Sequence, residues 1–538
     1  MAVTASWTVE QADVLEWLDA YEGPRYQSVL CDPPYALISI AERFGSEDAA
    51  PAQHGTDGVF ARVSGGFMGM RWDGGTDFHD LPSYQRWVTR WAKLLIEKAV
   101  HPGALLMAFG GTRTSHRLAC GLEDAGWLVK ETLCWMYGQG FPKSLNIAKA
   151  LESGGGRPED IRKMQMGDEY SPSGRGRTNY DHGAGSVMNG ATDRWLPSTD
   201  AAKRWSGWNS PALKPAYEPI ILAIAPRQGH THAELAQRFG TGALNIDAAR
   251  IGTEHRTYSG SGSNLTKLMN HRPGDTGIGT WDGHTRHRVF EATGRFPSNV
   301  LLMHAEGCER TGTRLIHGSR IEKPSEPTPV SGYGGGLGGA RPARGHGDAD
   351  GMEDVESWSC VDGCPVKMLD EQSSGEDGGS ASRFFYTAKS SRSEREYGLL
   401  GVIPCVKCGG LNTTEHPGDK GPVPCYRCSH PTVKSIAINR YLATLLLPPP
   451  VVAPRRILVP FAGVGSEMIG AMVAGWDEVV GIEREEAYIP IAKARLAWWA
   501  EHPDGVPEAP TAVELRARKE ASLSASLFDF PTVSGSKL

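Results

Sequence analysis

Strand-like and helix-like segments alternate at both ends of this 538-residue chain and lose that alternation in between. Near the N-terminus, "SVLCD" reads as a strand and "QRWVTRWAKLLIEKAV" as an amphipathic helix, with Trp87, Trp91, Leu94 and Leu95 at helical spacing. "GALLMAFGG" is a strand ending in a glycine turn, "SHRLACGLEDAGW" a helix closed by Gly126, and "VKETLCWMYG" a strand. "YEPIILAIAP" (217–226) is one more strand of the same sheet. The pattern returns late in the chain. "INRYLATLLLPP", "EMIGAMVAGW" and "EAYIPIAKARLAWW" are helices; "RRILVPFAGVGS" and "EVVGIE" carry strands. Such alternation predicts a parallel sheet with helices on its faces. The economical α/β fold is one sheet built from both chain ends, with an insertion between them.

The middle is compositionally different. Most of the excess among 66 glycines and 36 prolines falls between about residues 153 and 379, and periodicity fades from 229 to 394. Charged residues are 22% and hydrophobic ones 40%, which suits a globular chain of two to four domains. The net charge of −6 argues against indiscriminate coating of nucleic acid, but a local basic face is compatible with it. No apolar run is long enough to span a bilayer, and the N-terminus has neither a basic region nor an apolar core of a signal peptide. Those absences, with the thiol chemistry below, predict a cytoplasmic protein that does not engage membranes.

Two strand ends carry chemistry. "ILVPFAGVGSEMIGAMVAG" has a strand–glycine turn–helix form that sets backbone N–H groups and a helix N-terminus beside a ligand. Gly463 and Gly465 permit close approach of the backbone. Glu483, 18 residues after Gly465, ends the next strand where an acidic side chain can hold ribose hydroxyls. The turn lacks the Gly-x-Gly-x-x-Gly spacing of dinucleotide enzymes and suits a ligand with adenosine but no pyrophosphate. The second strand end is Asp32-Pro33-Pro34-Tyr35. The prolines remove two backbone donors, leaving a carboxylate, bare carbonyls and a phenol ring. That surface suits a planar base bearing an exocyclic amino group, whose hydrogens Asp32 and the Pro33 carbonyl accept while Tyr35 stacks.

The chain resembles the beta class of amino-group DNA methyltransferases that use S-adenosylmethionine, in phage- and prophage-type form. "DPPY" (32–35), "HPTVKS" (430–435), "FAGVGS" (461–466) and "GIERE" (481–485) carry the likeness, and it covers roughly residues 5–500. It implies a Rossmann-like methyltransferase sheet. Residues 1–228 and 430–500 are its catalytic and cofactor-binding halves, 229–394 a target-recognition insertion, 395–429 a zinc ribbon and 501–538 a tail. It further implies methylation of adenine N6 in duplex DNA, with the base flipped out of the helix. The family's Asp-Pro-Pro-Tyr usually goes with adenine N6, and Ser-Pro-Pro-Tyr with cytosine N4. By the same likeness Asp13, Phe461, Ala462, Gly463, Gly465, Ser466 and Glu483 line the cofactor, with Thr432 and Lys434 near its methionine end. Val459 stands where the family often has Asp, and Ser435 where it often has Pro. Both departures bear on cofactor affinity. The alternatives are a cytosine-N4 enzyme, an RNA or protein methylase, and a catalytically degenerate zinc-containing DNA-binding protein.

Ten cysteines include two Cys-x-x-Cys pairs, Cys405/Cys408 and Cys425/Cys428, separated by 16 residues. That spacing predicts a tetrahedral structural zinc site. A second set, His304-x3-Cys308 and Cys360-x3-Cys364, reads equally as another zinc site or as buried thiols beside an exposed histidine. Cys31, Cys120 and Cys134 are expected to be packing residues. "SASLFDF" (524–530) faintly resembles a bacterial sliding-clamp ligand, so the tail is a candidate docking segment.

Overall fold

The computed structural model describes residues 5–36, 80–138, 144–152, 197–260, 288–317, 319–322, 344–346, 352–375, 379–389, 393–405, 409–412, 414–416, 423–424, 427–428, 430, 433–503 and 505. Its centre is a nine-stranded sheet. The strands used below are β1 (Ser6–Gln11), β2 (Tyr26–Cys31), β3 (Val100–Phe109), β4 (Leu128–Tyr137), β5 (Tyr217–Ile224), β6 (Val300–His304), β7 (Glu309–His317), β8 (Met352–Ser359), β9 (Tyr386–Lys389), β10 (Arg456–Pro460) and β11 (Glu478–Glu483). The order across the sheet is β1-β11-β10-β2-β3-β5-β4-β6-β9. β7 and β8 pair only with each other, as an antiparallel arm.

Both chain ends meet in this sheet. β1 pairs with β11 in parallel register, Ser6 opposite Glu478 and Gln11 opposite Glu483. β10 lies beside β2, with Leu458 opposite Val29. The region of faded periodicity also contributes. β6 pairs with β4 and β9 with β6, so residues between 229 and 394 form one side of the sheet. β5 alone runs antiparallel to its neighbours. The carboxyl ends of the other eight strands therefore share one edge with the first residues of β5.

Alternation along the strands explains the layers. Leu105, Met107 and Phe109 of β3 enter one apolar cluster, while Ala104, Leu106 and Ala108 enter another. On β10, Ile457 and Val459 oppose Leu458 in the same way. The first face is covered by helices α5 (Ile436–Leu446), α6 (Ser466–Ala474) and α7 (Ile489–Glu501). The second is covered by α1 (Val14–Ala20), α2 (Leu81–Leu94) and α3 (Ser115–Asp124). A further helix, α4 (Pro365–Ser373), lies beside β6. β2 is buried at all six positions, its polar Gln27 and Ser28 included, and backbone satisfies both: Gln27 Oε1 accepts the Arg456 N–H at 2.7 Å and Ser28 Oγ donates to the Leu446 carbonyl at 3.4 Å. Among the described residues no helix is long and apolar enough to cross a membrane. Cys31 is buried as expected, Cys134 is half-buried, and Cys120 is exposed rather than packed, because it lies on the outer side of α3.

The connections decide where a ligand can sit. From β10 the chain crosses through α6 to β11 on one side; from β2 it crosses to β3 on the other. Neighbouring strands whose crossovers diverge open a crevice at their carboxyl ends. Here that crevice lies between Asp32 and the glycine turn after Pro460.

α5 and α6 pack closely enough to require a glycine. A Cβ on Gly470 would lie 2.5 Å from Asn439 Cβ and 2.6 Å from the Asn439 carbonyl carbon. Backbone cannot yield as a side-chain tip can. Gly470→Ala is expected to lower stability by about 1–3 kcal/mol, read as a fall in the urea midpoint at unchanged slope. An unchanged midpoint would mean that the two helices do not approach this closely.

Candidate active site

The crevice is held together by one buried ammonium. Lys434 precedes α5 and its Nζ reaches three oxygens: Glu218 Oε2 at 2.7 Å, Tyr35 Oη at 2.7 Å and Asp32 Oδ2 at 3.2 Å. An ammonium has three N–H donors, so Lys434 is fully engaged. It also lies 4.9 Å from the Tyr35 ring centroid and 5.1 Å from that of Phe109. Burial works against its charge, but the carboxylates of Asp32 and Glu218 more than offset that, and its pKa is raised. A saturated, charged lysine is neither a nucleophile nor a base.

Tyr35 is fixed at both ends. Its hydroxyl donates to Glu218 Oε2 at 2.8 Å, and its carbonyl accepts from Thr114 Oγ1 at 2.7 Å. Burial, with the nearby Asp32 and Glu218 charges, raises its pKa well above the ordinary phenol value, so it stays neutral. Pro33 is buried and Pro34 exposed. Asp32 retains 16% side-chain exposure. Burial and then Glu218 raise its pKa, and Lys434 partly opposes them. Its second oxygen, Oδ1, is buried and accepts no hydrogen bond among the described residues. An unsatisfied buried acceptor costs roughly 1–3 kcal/mol and marks where a donor is wanted.

Across the crevice the glycine turn is tied to Glu483. Glu483 Oε2 accepts the Gly463 N–H at 2.7 Å and Oε1 the Glu485 N–H at 2.8 Å; burial raises its pKa. Gly463 has φ +52° and Gly465, which starts α6, has φ +82°. A Cβ on Gly463 would meet His430 Nε2 at 3.1 Å, so a side chain there would press on the His430 ring. Ala462 is buried and donates its N–H to the Ile482 carbonyl at 2.9 Å. Phe461 adopts φ +62°, strained for a bulky residue. Its ring centroid lies 5.3 Å from that of Trp87 and 5.7 Å from that of Trp91 of α2, contacts that offset the strain. Asp13 caps α1 by accepting the Leu15 N–H at 2.8 Å, one residue beyond Ala12, which bonds to the Glu483 carbonyl. The structure thus brings Asp13, Asp32, Lys434, the turn and Glu483 to one edge. Thr432, Cys408 and Cys425 lie outside the described residues, as does the 524–530 segment. Cys405 and Cys428 are buried. The second set is brought together: ligand atoms of His304, Cys308, Cys360 and Cys364 lie within 4.8 Å of one another.

Four functional side chains escaped sequence reasoning. Glu218 is one; a charge in "AYEPIILAIAP" at the mouth of an apolar run is the same signal that singles out Asp32. Arg495, fully buried in α7, supports the turn from behind, donating to the Val464 carbonyl at 2.6 Å and Ser466 Oγ at 3.2 Å. Glu467 and Asn439 are buried partners, with Asn439 Nδ2 donating to Glu467 Oε1 at 3.2 Å.

Next to Glu218 the crevice deepens into a cavity of about 250 Å³, lined among others by Trp135, Tyr137, His304, Val433 and Ser435. At about 30 Å³ per water it has room for a ring-sized ligand.

Neither a protein-family model nor a curated protein matches this chain. Solved structures similar to it include M1.HpyAVI, with 9% identity, 91% of this chain and 98% of that chain covered, and a TM-score of 0.31. The M1.HpyAVI–SAM complex gives 12%, 91%, 99% and 0.29. PvuII DNA methyltransferase (cytosine-N4-specific) gives 9%, 92%, 87% and 0.33. TM-scores this low carry no weight for function; the chemistry must come from the side chains.

Asp32 and Glu218 bind the Lys434 ammonium directly, and the buried Glu467 nearby shows the consequence of so much negative charge. Burial, with the Asp32 charge next, pushes its pKa up to about 7. The folded chain therefore holds a proton that the unfolded chain releases near pH 4.5. This contribution is fully present below pH 4.5 and is lost as pH rises to about 7. Glu467→Gln removes the titration. Its stability relative to the parent chain is expected to climb from pH 4.5 to 7 and then level off, measured by urea unfolding at each pH; a constant difference would mean that Glu467 does not hold the proton.

Proposed function

We propose that this protein is an S-adenosylmethionine-dependent DNA methyltransferase, acting on the exocyclic N6 amino group of adenine in duplex DNA. One observation carries the reading: a buried carboxylate oxygen, Asp32 Oδ1, that accepts no hydrogen bond among the described residues and stands at a topological switch point. A primary amino group on a flat ring supplies the missing donor.

The residues present fit the cofactor. The rim is rich in acceptors, with carboxyl groups at Asp13 and Glu483, and suits a cationic ligand with ribose hydroxyls. Glu483, the backbone of 461–466 and Asp13 would hold it, with Thr432 nearby. When bound, it supplies a methyl group on positively charged sulfur. The remaining tasks fall to the chain. Asp32 accepts an amino hydrogen and, with the Pro33 carbonyl, turns the nitrogen lone pair outward. Tyr35 offers its ring while Lys434 and Glu218 hold it still. Asp32 Oδ1 can take the proton that the nitrogen sheds, a task suited to a carboxylate whose pKa burial raises. Lys434 compensates charge and reacts with nothing. Catalysis is then positioning and electrostatics.

The nucleobase cannot reach a recessed site while stacked, so it must leave the helix; the 250 Å³ cavity has room for it. Adenine over cytosine rests on the Asp of the tetrapeptide. Recognition of DNA sequence is assigned to 229–394, and a zinc ribbon to Cys405, Cys408, Cys425 and Cys428.

The test is a product assay. Incubation with labelled S-adenosylmethionine and unmethylated duplex DNA, digestion and mass spectrometry should yield N6-methyladenine. Asp32→Ala should lower the rate by about 10²–10³-fold while calorimetry finds cofactor affinity little changed. N4-methylcytosine would overturn the base, and absence of cofactor binding the whole reading.

A further inference from the structure

Beside the cavity, and outside the methyl-transfer machinery, four metal-ligating side chains converge. We propose that His304, Cys308, Cys360 and Cys364 form a four-coordinate zinc site that clamps the β7–β8 arm to the central sheet and fixes the cavity wall.

The geometry is that of a ligand shell. Nδ1 of His304 lies 3.4 Å from Cys360 Sγ and 3.6 Å from Cys364 Sγ. A tetrahedral ion with Zn–S of about 2.3 Å and Zn–N of about 2.0–2.1 Å separates its N and S ligands by about 3.6 Å. A disulfide would instead bring two sulfurs to about 2.05 Å, and all three cysteines are free. Three thiolates and an imidazole on one centre suit zinc.

The backbone is built for the same purpose on both sides. His304-Ala305-Glu306-Gly307-Cys308 and Cys360-Val361-Asp362-Gly363-Cys364 are two copies of one turn. In each, the second ligand's N–H bonds back three residues, Cys308 to the Ala305 carbonyl and Cys364 to that of Val361. In each, the glycine before that ligand is left-handed, with φ +89° at Gly307 and +76° at Gly363. Trp358 stacks on the His304 ring at 4.0 Å and sets its plane. His304 is 2% exposed, which removes the reading of an exposed histidine beside buried thiols.

The ligands occupy four junctions. His304 ends β6, Cys308 precedes β7, Cys360 follows β8 and Cys364 caps α4. One ion there joins the arm, the helix and the sheet, and His304, Ala305 and Glu306 are themselves cavity wall. The small apolar cluster around Leu302 and Val366 is otherwise the main packing at this junction.

The claim concerns metal content and stands apart from the transferred group. The full chain, purified with reductant and without added metal, is examined by zinc-edge X-ray absorption. A histidine nitrogen at about 2.0–2.1 Å beside sulfur at about 2.3 Å is expected. Sulfur-only coordination, or no zinc, overturns the proposal. Elemental analysis of variants gives a second reading. Cys360→Ser and His304→Ala should each carry one zinc fewer per chain, while His304→Cys, which rebuilds a tetrahedral shell, should keep it. Parental zinc content in folded Cys360→Ser and His304→Ala would overturn the proposal even if a nitrogen ligand were seen.

Discussion

The site depends on the placing of a single positive charge. Lys434 meets Asp32, Tyr35 and Glu218, residues that arrive from the loop after β2 and from the start of β5. Without the ammonium, buried carboxylates would face one another with nothing between them. Breaking a buried ion pair by removing one partner costs roughly 3–5 kcal/mol, so these segments are committed to one arrangement. The same charge takes Asp32 Oδ2 and leaves Oδ1 without a hydrogen bond among the described residues. The chemistry of the crevice is what remains after Lys434 has taken its three partners.

The sheet makes that meeting possible. Its central strands come from opposite ends of the chain, β2 and β10, and their crossovers diverge. The divergence opens the crevice, and everything polar at the mouth is there because eight strands end at that edge and one begins. The antiparallel β5 matters most. In a parallel strand Glu218, the second residue, would lie at the far edge; reversed, it stands beside Lys434. This also explains why the alternation pattern identified the strand and missed its charge. Periodicity reports which residues face the core and carries no direction.

Other differences between sequence and structure have equally local causes. Faded periodicity from 229 to 394 suggested loops, yet β6 and β9 join the sheet, because short strands at its side need only four or five residues to pair. Phe461 rests its ring on Trp87 and Trp91, some 370 residues earlier in the chain, a contact that no local pattern announces. Arg495 reads in sequence as one charge on an amphipathic helix; only the folded chain places it under the glycine turn. Cys308 and Cys364 had two readings from spacing alone, and the approach of two similar turns makes them neighbours.

By itself the sequence determined the α/β alternation, the strand ends that carry Asp32 and Glu483, and the glycines that bare the turn between them. Each is a local property: burial period, a polar residue where an apolar run stops, a backbone without Cβ. Tertiary structure alone decided the direction of β5, the partners of Lys434, the seat of Phe461 and the closing of His304, Cys308, Cys360 and Cys364 into one group. These are distances between residues far apart in the chain, and they are set by how the strands are ordered and which way each one runs.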